Sequence, residues 1–474
     1  MTADPAPQDR DSAPAAPNGR GQWRNRAGFI LAAAGAAIGL GNIWKFPFIT
    51  GKNGGGAFVT IYLVCIVLVG LPVMISEIII GRAAQKSPVK AYEDLSGKKL
   101  MWSIVAWMGV AAGFILLSYY SVVAGWAMKY VELAAGNNFV GQDAGAIGGM
   151  FGELATNFGR STFWHTMFMS LTVVIVLAGV HQGIEAGVRV LMPLLFVLLI
   201  GLVIYASTQD SFGHAVEFVF WPHTDNLHPG GVLEALGHSF FTLSVGVGGL
   251  ITYGSYMNRK EDIPVAAAAI TGLDTFVSLT ACLVMFPFLF AAGQEPSQGP
   301  PLIFIATPIA LSELPGGQIL GVAFFVLLLF AALTSSISLL EVVVSTVIDK
   351  FKIRRSSATL IFGLAALLYG LPSAKSDLSI PGLETLGPDF MQQMDFFVSN
   401  VFLPLGGMAI AIFAGWILPR STSYEEFNSA TQRDRLYRVW LYLTRYLVPS
   451  AIFLIFIYNV LHKLAPQLLP WQEP

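Results

Sequence analysis

The sequence predicts an all-α integral membrane protein: eleven transmembrane helices in two inverted five-helix repeats, with spans 1 and 6 unwound at mid-membrane. Three observations carry that expectation. The 474 residues are 54% hydrophobic and only 12% charged, with a mean hydropathy of +0.64, whereas soluble domains carry about 25% charged residues. Apolar runs such as 61–80, 187–206 and 319–333 have the length and polarity of membrane helices. Two of the runs also hold glycine clusters at matching depth, five spans apart.

Taken in order, residues 1–20 (MTADPAPQDRDSAPAAPNGR) have no apolar core and read as a disordered cytoplasmic tail, not a signal peptide. The first repeat, over 21–208, holds spans at 24–48, 57–83, 101–132, 162–180 and 187–208. The stretch 132–161 is too polar to span and is expected outside, as is the loop 209–231. The second repeat, over 232–420, holds spans at 232–257, 262–291, 317–351, 357–373 and 390–419, with 291–316 outside. The last segment, 421–474, carries span 11 at 436–463 and an extracytoplasmic C-terminus.

Basic residues set the orientation. Of 27 Lys and Arg, only Lys45, Lys52, Lys129, Arg160, Lys375 and Lys463 fall on the side opposite the N-terminus. The positive-inside rule then puts the N-terminus in the cytoplasm, and an odd span count puts the C-terminus outside. The net charge of −2 and the lack of a basic patch interleaved with aromatics exclude a nucleic-acid partner. Cys65 and Cys282 both lie in apolar runs and read as small core residues. No nucleophile–base pairing or metal-ligand spacing is present, so an enzyme is not expected.

Span 1 contains GAAIGLGN (35–42) and span 6 contains FFTLSVGVGG (240–249). Each glycine costs roughly 1 kcal/mol against alanine inside a helix. Unwound backbone in hydrocarbon is tolerated only where it lines a cavity or binds something. Half-helix ends then offer N–H groups to an anion and carbonyls to a cation. Paired breaks in corresponding spans point to a ligand site between inverted repeats. Close packing by small residues is the competing explanation. The polar residues beside both breaks favour a site.

The segment WRNRAGFILAAAGAAIGLGNIWKFPFITGKNGGGAF (23–58) resembles the first helix of the neurotransmitter:sodium symporter family. FFTLSVGVGGLITYGSY (240–256), ALTSSIS (332–338) and MDF (394–396) are similar to family motifs in the same order. The likeness runs from Trp23 to span 11, as in the eleven-span bacterial amino-acid transporters of that family. It implies a sodium-coupled symporter in the plasma membrane, the bacterial inner membrane, with the lipid bilayer as surroundings and a neutral amino acid as cargo. The resemblance also implies two sodium sites. One would use Ala37, Asn42, Thr242 and Asp274 together with the substrate carboxylate. The other would use Gly35, Ile38 and Ala331 carbonyls with the Thr334 and Ser335 hydroxyls, oxygen ligands that suit a hard cation. Read alone, Thr334 and Ser335 would more ordinarily bond back to the preceding turn.

The substrate pocket implied by the family comprises Ala36, Ala37, Gly39, Leu40, Gly41, Leu116, Tyr120, Phe241, Thr242, Ser244, Val247, Ser335 and Leu339. Monoamine-carrying relatives have an aspartate where this chain has Gly39, which leaves room for a substrate's own carboxylate. No charged side chain is expected to face the substrate side chain, which favours a neutral, apolar amino acid. Chloride-dependent relatives hold the anion with Tyr, Gln, Ser and Asn-type donors. Here Tyr62 and Ser278 are kept, while His238 and Asp274 replace the other two. A carboxylate at 274 would repel a chloride beside it, so chloride-independent transport is expected. Either Asp274 or His238 could also take up a proton on the return step.

Glu77 is expected to brace the broken helices, and Glu341 in span 8 is left without a role. The outer gate implied by the family pairs Lys45 with Asp395 above a lid of Phe241 and Tyr120. The inner gate pairs Arg20 with Asp349, aided by Trp23, Ser255 and Tyr256. Two other readings remain open: an amino-acid sensor on the same scaffold, and a proton-coupled transporter.

Overall fold

The computed structural model describes residues 22–222, 229–294, 302–375 and 377–464. The tail expected over 1–20, including Arg20, lies outside the described residues. Among those that are described, all regular structure is helical. Nine helices are long and apolar enough to cross a bilayer, and a tenth span is the pair Arg26–Ala37 and Gly41–Lys52, bent by 54°. The remaining position, span 6, is Pro229–Thr242 followed by Gly249–Gly254, with a non-helical turn over 243–248 between them.

Observed and expected spans agree closely. Spans 2 and 3 run Gly56–Ala84 and Leu100–Ala135, and spans 7 and 8 run Ile263–Ala291 and Gly317–Phe351. Span 4 ends at Leu177, and span 5 begins at Val180 rather than 187. Gly179 makes that close junction possible with φ 89°, and span 5 opens on a wide turn, Val180–Glu185. Spans 9, 10 and 11 are Arg355–Ala374, Phe390–Ile417 and Asp434–Leu461.

The loops carry more helix than the sequence implied. Ala144–Thr156, Phe212–Phe220 and Leu302–Ser312 fall in stretches expected to be irregular. The first of these starts where the Asp143 carboxylate accepts the Ala146 N–H at 2.7 Å, an ordinary N-cap. Two further short helices, Pro88–Leu95 and Arg420–Phe427, lie between spans 2 and 3 and between spans 10 and 11.

Spans 3 and 8 pack along each other through the centre, and both halves of the chain close around them. The first half of span 1 lies against span 7, and the first half of span 6 lies against span 2. Exchanging the repeats maps span 1 onto 6 and span 2 onto 7, so these two contacts are one contact seen twice. Small residues do mediate close approach in places. A β-carbon on Gly254 would come within 2.9 Å of the Ile78 carbonyl oxygen. The span 6 turn needs more than closeness, because Ser244, Gly246 and Gly248 have φ of 51°, 102° and 81°. Left-handed backbone of this kind favours glycine.

Candidate ion and substrate site

Span 1 stops being helical where Ile38 swings out to ψ 105° after donating its N–H to the Ala34 carbonyl. The chain resumes as a wide turn over Gly41–Lys45 and then as Phe46–Lys52, with Pro47 tolerated in its first turn. The break exposes backbone groups that side chains partly satisfy. The Gly39 N–H donates to Asn42 Oδ1 at 2.9 Å, and the Leu40 N–H donates to the Tyr120 hydroxyl at 3.2 Å.

Carbonyls of the same break converge on span 8. Ser335 Oγ lies 3.3 Å from the Gly35 carbonyl oxygen, 3.4 Å from that of Ala36 and 3.2 Å from that of Ile38. One hydroxyl hydrogen cannot satisfy three acceptors. At least two of these carbonyl oxygens therefore keep free acceptor capacity toward Ser335. Thr334, by contrast, bonds back to the Phe330 and Ala331 carbonyls at 3.2 and 3.0 Å. Its Cβ would be 3.1 Å from a β-carbon on Gly35, so a side chain there would press the two helices apart by a few tenths of an ångström.

A second polar cluster joins spans 1, 6 and 7. The Asn42 amide nitrogen is 2.8 Å from Thr242 Oγ1, 2.6 Å from Asp274 Oδ1, 2.9 Å from Ser278 Oγ and 3.3 Å from the Asp274 carbonyl. Thr242 donates to the same carboxylate at 3.0–3.1 Å. Asn42, Thr242 and Asp274 are thus gathered as the sequence implies, with one difference: the amide oxygen faces Gly39 and the nitrogen faces the carboxylate. An ionised carboxylate offers acceptors only, which draws the donor end of the amide.

Tyr62 is buried beside spans 1 and 6, its ring 4.7 Å from that of Phe46 and 5.8 Å from that of His238 between centroids. His238 does not join the Asp274 cluster through a hydrogen bond. Its ring stacks on Phe46 (5.5 Å between centroids) and Phe241 (6.1 Å), and among the described residues neither ring nitrogen has a partner.

Glu77 braces the break in span 6. Its carboxylate accepts the Gly246 N–H at 2.7 Å and the Leu250 and Ile251 N–H groups at 3.1 and 3.3 Å. These are the donors that a helix restarting at Gly249 leaves open.

Between the breaks lies a pocket lined by all thirteen expected substrate-site residues, with Asn42 and Leu403 added. Its free space is about 40 Å³, room for about three waters. Gly39 sits tightest: a β-carbon there would come within 2.6 Å of Ser335 Oγ and 3.1 Å of the Tyr120 hydroxyl. Above it opens a vestibule of about 320 Å³ whose walls include Lys45, Lys52, Glu234, His238 and Asn400. Phe241 and Leu403 line both chambers and divide them. Tyr120 lines only the inner one. Leu403 stands in an unbroken apolar run, and nothing in the sequence singles it out.

The expected Lys45–Asp395 ion pair is not made in this structure. Lys45 Nζ lies 3.9 Å from the centroid of the Phe241 ring, a cation–π contact. The Asp395 carboxylate accepts from the Tyr119 and Ser399 hydroxyls, each at 2.9 Å. Lysine lacks the fork with which arginine would hold a carboxylate, and two hydroxyls already satisfy this one.

At the inner end Trp23 is buried. It donates its backbone N–H to the Tyr256 carbonyl (3.1 Å) and its indole N–H to that of Tyr253 (3.0 Å). Ser255 turns its hydroxyl to the Thr252 carbonyl at 2.6 Å. Asp349 accepts the Ser87 N–H at 2.7 Å; the partner expected for it, Arg20, is outside the described residues. Glu341 proves to be central here. Fully buried, it is held by both terminal nitrogens of Arg355 and by the Tyr256 hydroxyl at 2.7 Å. A carboxylate inside span 8 demands such partners. That demand was the available signal, although it does not name Arg355.

The model of the sodium:neurotransmitter symporter family matches residues 20–140 and 150–474. The chain is 37% identical over 437 residues to the "uncharacterized sodium-dependent transporter YhdH" of Bacillus subtilis, covering 92% of this chain and 97% of that one. It is 23% identical to the "sodium-dependent neutral amino acid transporter B(0)AT2" of Bos taurus, over 74% of this chain and 62% of the relative. Among solved structures, that of MhsT in complex with L-phenylalanine superposes with a TM-score of 0.85 at 42% identity, covering 93% of this chain and all of that one. Paired breaks, convergent carbonyls and the family match agree: this chain belongs to the sodium:neurotransmitter symporter family and is a sodium-dependent membrane transporter, not an enzyme.

Proposed function

We propose that the protein imports a neutral, apolar α-amino acid with sodium by alternating access, and that it does so without chloride. The observation that carries this reading is the lining of the inner pocket. Its walls are glycine, alanine, leucine, valine and phenylalanine with a few hydroxyls and the Asn42 amide. Among the described residues no carboxylate lines it, and Asp274 behind Asn42 and Thr242 is engaged by both. A bare amine would find no counter-charge there, whereas a zwitterion brings its own. MhsT, whose solved complex contains L-phenylalanine, supports the same substrate class.

In this scheme the substrate carboxylate sits against the span 1 break beside Gly39 and the Tyr120 hydroxyl. One sodium is held by Ala37, Asn42, Thr242, Asp274 and that carboxylate; the other by Gly35, Ile38, Ala331, Thr334 and Ser335. Contact between the first ion and the carboxylate makes each stabilise the other, which is the coupling. Phe241 and Leu403 close above the substrate, with Lys45 and Asp395 flanking the outer passage. Trp23, Ser255, Tyr256, Arg20 and Asp349 govern the inner one. The Asp274 carboxylate supplies the negative charge that chloride provides in relatives, with Tyr62 and Ser278 beside it. The N-terminus faces the cytoplasm of a bacterial cell and the C-terminus faces out.

Uptake by the purified protein in liposomes tests this. An inward sodium gradient should drive accumulation of leucine-sized or aromatic neutral amino acids, unchanged when gluconate replaces chloride. Uptake of cationic amino acids in their place, or uptake driven by a proton gradient without sodium, would overturn the proposal. So would loss of uptake in gluconate.

A further inference from the structure

The junction of spans 10 and 11 carries an arrangement that neither the transport site nor the gates use. Span 10 ends at Ile417, and its last turn exposes Trp416. Arg445 of span 11 lies across that indole, its guanidinium carbon 5.1 Å from the ring centroid. The two side chains grip each other's helices: Arg445 Nε donates to the Gly415 carbonyl at 2.5 Å, and the Trp416 indole donates to the Arg445 carbonyl at 3.3 Å. Gly415 makes room, since a β-carbon there would come within 2.9 Å of Arg445 Cγ. With Nε satisfied and one face stacked, the two terminal nitrogens of Arg445 are held in a fixed direction with no hydrogen bond of their own among the described residues.

Arg435, Arg438, Tyr442 and Tyr446 continue the same stripe, at helical offsets of three, seven and eleven residues. Arg435, Arg438 and both tyrosines are exposed. Among the described residues, none of Arg435, Arg438 and Arg445 forms an ion pair. The closest acidic residue in sequence, Asp434, is taken by the Tyr424 hydroxyl at 2.7 Å. Further along span 11 the exposed face is mostly apolar, with Leu447, Phe453 and Leu454 open to the surroundings. Arginines without carboxylates, then interfacial aromatics, then aliphatics match a phosphate, a glycerol backbone and an acyl chain in turn.

We propose that the ends of spans 10 and 11 form a binding site for the phosphate of an anionic phospholipid, with Arg445 and Arg438 as its ligands and Trp416 as its wall. Arg438 and Arg445 are separated by about 10 Å along the helix, so the pair reaches from the aromatic level to the water boundary. Planar guanidinium groups suit a phosphate's oxygens better than an ammonium does. Charge complementarity favours lipid over a second copy of the chain, whose same face would bring arginine against arginine.

Native mass spectrometry of the full chain tests this, in detergent containing equal phosphatidylglycerol and phosphatidylcholine with identical chains. Phosphatidylglycerol should be retained at least tenfold over phosphatidylcholine. Arg445→Gln and Arg438→Gln should each cut that preference at least threefold and together abolish it. Arg445→Lys, which keeps the charge without the fork, should fall between. The exposed pair Lys98→Gln and Lys99→Gln should leave it unchanged, and sodium-dependent thermal protection should persist in every variant. Equal loss from the Lys98/Lys99 change would reduce the effect to general charge and overturn the site. Displacement of the lipid by millimolar inorganic phosphate would reassign the site to a soluble anion, and a dimer peak sensitive to Arg445→Gln would reassign it to a second copy. Uptake in liposomes is measured separately, so failure here leaves the transport reading standing.

Discussion

Asp274 is buried among Asn42, Thr242 and Ser278, all turned toward its carboxylate or backbone oxygen. A fixed negative charge in that position excludes a mobile one by several kcal/mol in a low-dielectric setting. On the proposed chloride-independent reading, Asp274→Asn should make uptake at least tenfold higher in chloride than in gluconate. Equal rates in the two salts would show that the carboxylate does not stand in for the anion. Glu341 makes a second case. Removing one partner of a buried ion pair strands the other, at about 3–5 kcal/mol. Arg355→Ala should lower thermal stability sharply, and adding Glu341→Gln to it should restore much of the loss. If the double change is no more stable than the single one, the pair is not the source of the effect.

Among the elements, span 6 makes the strongest demand on its sequence. Gly248 has φ 81°, and a β-carbon there would come within 2.9 Å of the Pro88 ring. Gly248→Ala should abolish uptake and sodium-dependent protection, whereas Gly272→Ala in span 7, with nothing within 4 Å, should leave both intact. The element scale also shows what the sequence could carry. Spans and breaks were legible because hydropathy and glycine placement are local properties, and the pocket followed from motifs on the broken helices. The partners of Lys45, Asp395 and Glu341 were not. They depend on how far a side chain reaches across elements, and Tyr119, Phe241 and Arg355 carry no local mark of that reach. The loop helices were missed for a different reason: short polar stretches give little periodicity over which to distinguish helix from coil.

For the whole molecule, energetics bound what the transporter can do. One charge moved through 100 mV contributes about 2.3 kcal/mol, and a tenfold sodium gradient adds about 1.4. Two ions give about 7 kcal/mol, sufficient for roughly 10⁵-fold accumulation of a zwitterion. Collapsing the membrane potential at constant sodium gradient should lower the accumulation ratio more than a thousandfold if two ions move per cycle. A fall of about fiftyfold would mean one.

The inner chamber, at about 40 Å³, is nearly shut upon itself. On the proposed reading a guest enters by parting Phe241 and Leu403, which line both chambers. Each added methylene of the guest then returns about 0.8 kcal/mol. Glycine and alanine should accordingly be the feeblest passengers, and bulk, within the walls' reach, the quality the protein rewards.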